Sequence, residues 1–499
     1  MNLMMLLEMA GSGLGDRVAV VNGDDSLTYT ELFEAAGVAA RVVREADVLR
    51  VAMLDVSSLA VPVGLFASAW AGVPFVPLNY RLTGEELEVL VREIAPSFLI
   101  AEQQRVEGLA HLECTRIVAR EPFLARARDG SAGDPSWSTE GDDIAILLFT
   151  SGTTGPPKAA VIRHKHLVSY ILGTVEFAAA AEEDATLMSV PPYHIAGMAA
   201  IASSVYAGRR IVQLPNFTAE AWIELARRER VTNAFVVPTM LSRIVDALGD
   251  GPADLPHLRA ISYGGGKMPQ PVIERAMDLF PDSDFTNAYG LTETSSTISI
   301  LGPEDHRAAA ASDDPKIRRR LVSLGRPLPT LEVQIRDAEG NAVGPDERGE
   351  ITVRGEQVSG EYLGRGSRLD AEGWFPTRDG GSMDADGYLF LEGRIDDIIV
   401  RGGENISPGE VEDVLLEHEA VADVAVVGVP DEQWGEAVAA AVVTKPGKTV
   451  AVDELQDFVK IRLRSSRAPE RVEFCDELPY NETGKLLRRV VRQMLGESA

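Results

Sequence analysis

Between Phe149 and Lys158 the chain reads Phe149-Thr150-Ser151-Gly152-Thr153-Thr154-Gly155-Pro156-Pro157-Lys158. Glycines let a backbone turn tightly and bring its N–H groups close to an oxyanion. Three Thr and one Ser add hydroxyl donors, and Lys158 adds a mobile point charge. That donor set suits a polyphosphate. It is not a Walker A loop, because G-x-x-x-x-G-K-[ST] does not occur here. A flexible Ser/Thr/Gly linker is the plain alternative, but a linker needs neither the apolar run Ile144 to Phe149 before it nor a lysine after two prolines. A second cluster, Asn287 to Thr294, sets Tyr289, Thr292 and Glu293 within five residues. The ring offers a flat face, the hydroxyl a donor and the carboxylate a hard oxygen, though the cluster by itself reads equally well as a turn. In Ser262-Tyr263-Gly264-Gly265-Gly266-Lys267-Met268-Pro269, three consecutive glycines leave the backbone open to close approach.

Strand-like apolar runs must position these groups: Val51 to Leu54, Phe75 to Leu78, Ile144 to Phe149 and Ala234 to Val237. Helical patterns at Thr83 to Ile94 and Ala219 to Glu229 lie between them. The alternation predicts a parallel α/β architecture with right-handed crossovers. From about Leu321 short β-like segments at Leu331 to Arg336, Gly349 to Arg354 and Gly387 to Leu391 predict a small β-barrel or sheet subdomain over about 320–393. A new α+β pattern starts near Ile398, with helices from Pro408 and Asp453 and a strand at Ala422 to Val429. The expected division is 1–395 and 396–499, with Arg394 to Asp397 as the junction.

The 499 residues are long enough for two to four domains. Asp and Glu number 76 against 48 Lys and Arg, a net charge of −28 that disfavours nucleic acid and anionic membrane as partners. An anionic ligand therefore needs a local basic island. Between Lys460 and Ala499, nine Lys and Arg outnumber six acids. Cys114 and Cys475 are the only cysteines, which excludes a disulfide framework and fits a reducing cytoplasm. Val56 to Tyr80 carries no charge, but Pro62, Pro74 and Pro77 break the run. It therefore predicts a buried helix and strand, with no integral membrane segment.

The Thr-rich loop resembles the phosphate-binding signature of the adenylate-forming superfamily, which includes acyl-CoA synthetases, adenylation domains and firefly-type luciferases. Further motifs follow in the family's order through Leu478-Pro479-Tyr480-Asn481-Glu482-Thr483-Gly484-Lys485, and the resemblance covers essentially the whole chain. It implies ATP, Mg²⁺ and CoA as ligands. Thr150, Ser151, Gly152, Thr153, Thr154, Gly155 and Lys158 would hold phosphates, with Glu293 and Thr150 on Mg²⁺ and Thr292 on the α-phosphate. Gly264, Gly265, Gly266, Asn287, Ala288 and Tyr289 would line adenine, and Asp379 and Arg394 would hold the ribose. Lys485 would be the catalytic lysine, bridging substrate carboxylate and α-phosphate. Asp396 would be the hinge, and Gly402 and Gly403 in Arg401 to Pro408 would border the pantetheine arm after rotation.

His194 matches the gate between the acyl and thiol channels; with Gly197, Gly265 and Gly290 it would line the acyl pocket. Two departures stand out: Arg378 occupies a usual glycine of T-G-D, and Ala159 the glycine after the loop lysine. Gly290 stands where acetate-activating relatives carry Trp, which implies an acid longer than acetate. No Asp occurs in Pro191 to Ile201, which disfavours amino acids. The expected function is ATP-dependent activation of an apolar fatty or aromatic acid to an acyl-adenylate, then transfer to CoA. Alternatives are an acyl-AMP ligase loading an acyl carrier protein and a catalytically weak nucleotide-binding homologue.

Overall fold

The computed structural model describes residues 1–112, 115–132, 136–150, 158–249, 251–480 and 486–496. Two compact units emerge. The first takes in Met1–Val322, Pro327–Glu332 and Arg354–Phe375; the second takes in Ser323–Arg326, Val333–Val353 and the chain from Pro376 onward. Most of the β-rich region about 320–393 thus groups with the C-terminal residues, and Asp396 lies inside the second unit.

In the first unit, two sheets are built from the apolar runs. In one, the parallel strands Ala260–Gly264, Asn233–Val236, Ala185–Met188, Arg210–Gln213 and Val18–Asn22 lie side by side. Asp284–Leu291 continues them in parallel, and Ser296–Leu301 pairs back antiparallel. The other is eight-stranded. Its parallel centre is Arg50–Leu54, Phe75–Pro77, Ser97–Ala101 and Thr115–Ala119. Ile144–Thr150 extends it, followed by antiparallel Lys158–Arg163 and Glu361–Tyr362. Helices cross over between strands, with starts fixed by local chemistry. Thr28 and Glu31 form a capping box on Tyr29–Glu45, and the Thr218 hydroxyl accepts from Ala221 N on Ala219–Arg228.

The uncharged run becomes the helix Ala60–Ala71, buried over nearly its whole length, and the strand Phe75–Pro77. Trp70, Phe66 and Phe75 from this run are fully buried. Burying each such aromatic stabilises by about 1.5–3 kcal/mol. Among the described residues, no helix is long and apolar enough to cross a membrane.

In the second unit, Glu332–Arg336, Gly349–Arg354, Phe375–Met383 and Leu389–Arg394 form a four-stranded sheet, the sheet alternative for that region. A second sheet centres on the long antiparallel pair Val421–Asp431 and Gly435–Thr444. Helices Pro408–Leu416 and Val452–Arg462 pack Val411, Leu415, Leu455 and Val459 on one face, and Arg488–Gly496 packs Val491 and Leu495 on the other.

Candidate active site

In the first unit the site residues fall at carboxyl ends of strands and in the loops that follow, the usual ligand position of open α/β sheets. Thr150 ends its strand and faces Lys158, which begins the next. The Thr150 hydroxyl donates to the Lys158 carbonyl at 3.3 Å, so the hairpin closes at the loop's two ends. Ser151, Gly152, Thr153, Thr154 and Gly155 lie outside the described residues, as does Cys114. Ala159 is buried in the strand opposite Phe149, where a methyl group is accommodated without a glycine.

Gly264, Gly265 and Gly266 end the strand Ala260–Gly264 and open the following turn. A Cβ at Gly264 would sit 2.2 Å from the Ala288 carbonyl oxygen, so the close pairing of these two strands requires glycine there. Asn287 and Tyr289 are buried on one face of the neighbouring strand, and Ala288 and Gly290 alternate to the other. Gly290 has a reason that sequence alone hid. A Cβ there would lie 1.7 Å from the Ser296 carbonyl oxygen, at a bulge between Asp284–Leu291 and Ser296–Leu301. The backbone approach of Ser296 by itself requires glycine here.

Thr292 and Glu293 occupy a single 3₁₀ turn, Thr292–Thr294. Ser295 and Ser296 follow with φ of 55° and 111°, left-handed values unfavourable for non-glycine residues. Such backbone persists only where its surroundings over-determine it. The segment Gln357 to Tyr362 does so. Gln357 Nε2 donates to the Thr294 and Thr297 carbonyls at 3.0 and 2.8 Å. Ser359 and Gly360 N–H groups donate to the Glu293 carbonyl at 2.8 and 3.1 Å. The Tyr362 hydroxyl donates to Glu293 Oε1. Sequence reasoning missed this strap, because Tyr362 is 69 residues from Glu293 and carries no spacing signal.

His194 precedes the helix Ile195–Ala207, with its ring 4.4 Å from Tyr193, which in turn meets Tyr80 edge-on at 5.3 Å. Its Nε2 is buried with no hydrogen-bond partner among the described residues. Burial, and then the nearby Arg81 cation, push its pKa down to about 4, so the imidazole is neutral at physiological pH. Gly197 is buried in the first turns of this helix, where a Cβ would meet the Pro191 carbonyl at 2.9 Å.

Burial likewise holds His164 and His166 down to about 4. Each Nδ1 accepts a backbone N–H, from Leu3 and Arg163 respectively, which a proton there would displace. Their folded pKa lies below the unfolded value, so the unfolded chain binds more protons in acid. Folding stability should therefore fall as pH drops from about 6.5 toward 4, by up to about 1.4 kcal/mol per pH unit for each histidine. Urea midpoints at pH 7 and 5.5 check this. His164→Gln should reduce the dependence, and an unchanged slope would refute the assignment.

In the second unit, Asp379 is buried on Phe375–Met383 and pairs in register with Arg394. Arg394 Nη1 donates to Asp379 Oδ1 and to the Thr377 carbonyl, both at 2.9 Å. Arg378 keeps the turn that glycine usually supplies, adopting φ of 64°. Its N–H donates to Glu350 Oε1 at 2.8 Å and its guanidinium pairs with Asp396 in the turn Ile395–Asp397. Gly402 and Gly403 join the strands Ile399–Arg401 and Glu404–Ile406, and Gly402 N–H donates to the Trp434 carbonyl at 2.8 Å. Lys485 lies outside the described residues. The flanks of its segment are held: Tyr480 bridges Leu486 and donates to Asp423 Oδ2 at 2.9 Å, and Arg488 grips Glu412 through two nitrogens.

Among the described residues, no group of three His, Cys, Asp or Glu could hold a metal ion. Mg²⁺ on a nucleotide does not require one, since it takes one or two carboxylates and fills its octahedron with phosphate oxygens and water. Glu293, half-buried and oriented by Tyr362, is the carboxylate that suits it.

The chain belongs to the AMP-binding enzyme family, in its adenylate-forming, acyl-CoA synthetase type. The AMP-binding enzyme model matches residues 7–363, and the AMP-binding enzyme C-terminal domain matches 410–485. The chain is 34% identical to a feruloyl-CoA synthase of Amycolatopsis sp, over 96% of each chain. It is 33% identical to the fatty acid–[acyl-carrier-protein] ligase ScoC of Streptomyces coeruleorubidus, over 96% of this chain and 94% of that one. Its fold matches the o-succinylbenzoate CoA synthetase MenE of Bacillus subtilis, solved with the acyl-adenylate OSB-AMP, with a TM-score of 0.85 and 29% identity. That match covers 98% of this chain and 97% of the other.

Proposed function

We propose that this enzyme activates an apolar fatty or aromatic carboxylic acid with ATP, releasing pyrophosphate, and passes the acyl group to CoA. The observation that carries this reading is the strap from Gln357 to Tyr362. It holds Glu293 and Thr294 while pairing with the strand that begins at Lys158. A carboxylate is a poor electrophile because its leaving group would be oxide; joining it to the α-phosphate gives an adenylate from which AMP departs. Two anions must first meet. Lys158 and Lys485 offset their repulsion, and Thr292 donates to the α-phosphate as charge develops. Mg²⁺, when bound, neutralises phosphate charge as a Lewis acid. Tyr289 stacks on adenine, and Asp379, fixed by Arg394, accepts from the ribose hydroxyls. Neutral His194 guards the passage between acyl and thiol groups, and Asp396 serves as the hinge between half-reactions. Gly402 and Gly403 admit the thiol arm.

The small apolar residues of the helix after His194, from Gly197 to Ile201, and the absence of Asp between Pro191 and Ile201 support an apolar acid over an amino acid. The relatives named for feruloyl and o-succinylbenzoate substrates support an aromatic acid, and ScoC supports a fatty acid on a carrier protein as the alternative acceptor. A panel of acids in a pyrophosphate-release assay, with CoA and a pantetheinyl carrier protein compared as acceptors, tests both points. Each buried methylene is worth about 0.8 kcal/mol, so kcat/KM should rise about fourfold per added methylene until the pocket fills. Turnover on acetate or amino acids alone would refute the pocket, and faster turnover with the carrier protein would reassign the acceptor.

A further inference from the structure

We propose that Tyr362 is the positioning residue for the Glu293 carboxylate, fixing which oxygen it presents to the metal-bound nucleotide; this rests on Glu293 as the Mg²⁺ ligand. An ionised carboxylate only accepts. The phenol engages Oε1 and directs the carboxylate without bringing a positive charge that would compete with a dication. A glutamate held by no such donor would sample several rotamers and lose freedom each time the metal bound. Tyr362 is itself well fixed. Its strand pairs with Lys158–Arg163, setting Tyr362 opposite Ala160, and Leu363 N–H donates to the Ala159 carbonyl at 2.9 Å. Successive strand residues face opposite ways. Glu361 accordingly turns from the phenol's side to grip Arg163 through Nε at 3.0 Å and Nη2 at 2.8 Å. The Arg368 guanidinium stands 5.3 Å from the centre of the Tyr362 ring. The backbone arm of the same strap fixes the Glu293 carbonyl through Ser359 and Gly360. Main chain and side chain of Glu293 are thus both registered to the strand that leaves the phosphate loop.

Tyr362→Phe removes one oxygen and leaves in place the ring, the strand ladder and the Glu361–Arg163 pair on the strand's other face. Mn²⁺ serves as the probe: its binding to the full-length protein with ATP is read from loss of the free-ion paramagnetic resonance signal, alongside the Mg²⁺ dependence of turnover. Removing a group that orients a metal ligand typically costs about 10- to 100-fold in metal affinity. Tyr362→Phe should therefore weaken Mn²⁺ binding by about tenfold, raise half-saturating Mg²⁺ in parallel, and leave the KM for the acid within about twofold. In Tyr362→Phe/Glu293→Gln the loss should equal that of Glu293→Gln alone, because both changes act through one carboxylate. Unchanged Mn²⁺ affinity in Tyr362→Phe, or effects that multiply in the double variant, would overturn the proposal. Glu361→Gln loosens the same strand from its other face; if it weakens Mn²⁺ binding as much, strand disruption is the cause and the proposal fails. If Glu293→Gln itself leaves Mn²⁺ binding intact, the reading of Glu293 as metal ligand fails first.

Discussion

Lys485→Ala should slow acyl-adenylate formation by about 10²- to 10³-fold, the scale of losing one preorganised donor to a developing oxyanion. Thioester formation from supplied acyl-adenylate should stay within about threefold, since the interaction is made only while the carboxylate and α-phosphate meet. The chain's acidity makes the lysine more consequential. With a net charge of −28, the field around a polyanionic substrate is unfavourable unless local cations reverse it. On either side of this segment, Tyr480 is hydrogen-bonded to Asp423 and Arg488 is paired with Glu412. Rapid-quench measurement of the two half-reactions separates the outcomes. Equal losses in both would remove Lys485 from the role given to it.

Asp379→Ala should lower kcat/KM for ATP by about 10- to 100-fold. A charged acceptor typically contributes about 1.5–3 kcal/mol per hydrogen bond, and two vicinal hydroxyls are offered. Part of the loss would come from Arg394, whose guanidinium pairs with Asp379 at 2.9 Å. Comparing ATP with its 2′,3′-dideoxy analogue isolates the ribose contribution. The unmodified enzyme should prefer ATP strongly, and Asp379→Ala should discriminate by no more than a few-fold. A variant that still prefers ATP as strongly would show that the ribose is held elsewhere.

The ordered motifs made the class readable from sequence, because each sets its glycines, hydroxyls and carboxylates within a few residues of one another. Helix and strand positions were equally legible where periodicity was strong: the runs at Val51, Phe75, Ile144 and Ala234 all became strands of the first unit. What stayed hidden depends on contacts distant in sequence. Gly290 looked like a pocket-opening residue, yet Ser296 from the next strand closes on its backbone. Arg378 stood out as a departure from the family's glycine; it adopts the left-handed conformation and uses its side chain on Asp396, 18 residues away. The strap to Glu293 joins residues 60 to 69 apart, beyond any local pattern.

Charge illustrates the same division. The excess of acid describes the exterior, whereas Arg394 and Arg488 are engaged in short-range pairs with Asp379 and Glu412, which total charge does not reveal. The central claim is that this chain joins a carboxylic acid to AMP. Acid-dependent exchange of labelled pyrophosphate into ATP, measured without CoA over a wide panel of acids, tests it most directly. Exchange stimulated by one or more apolar acids, and abolished in Lys485→Ala, is the predicted result. No exchange with any acid, in protein that still binds ATP, would contradict it and leave a nucleotide-binding homologue without ligase chemistry.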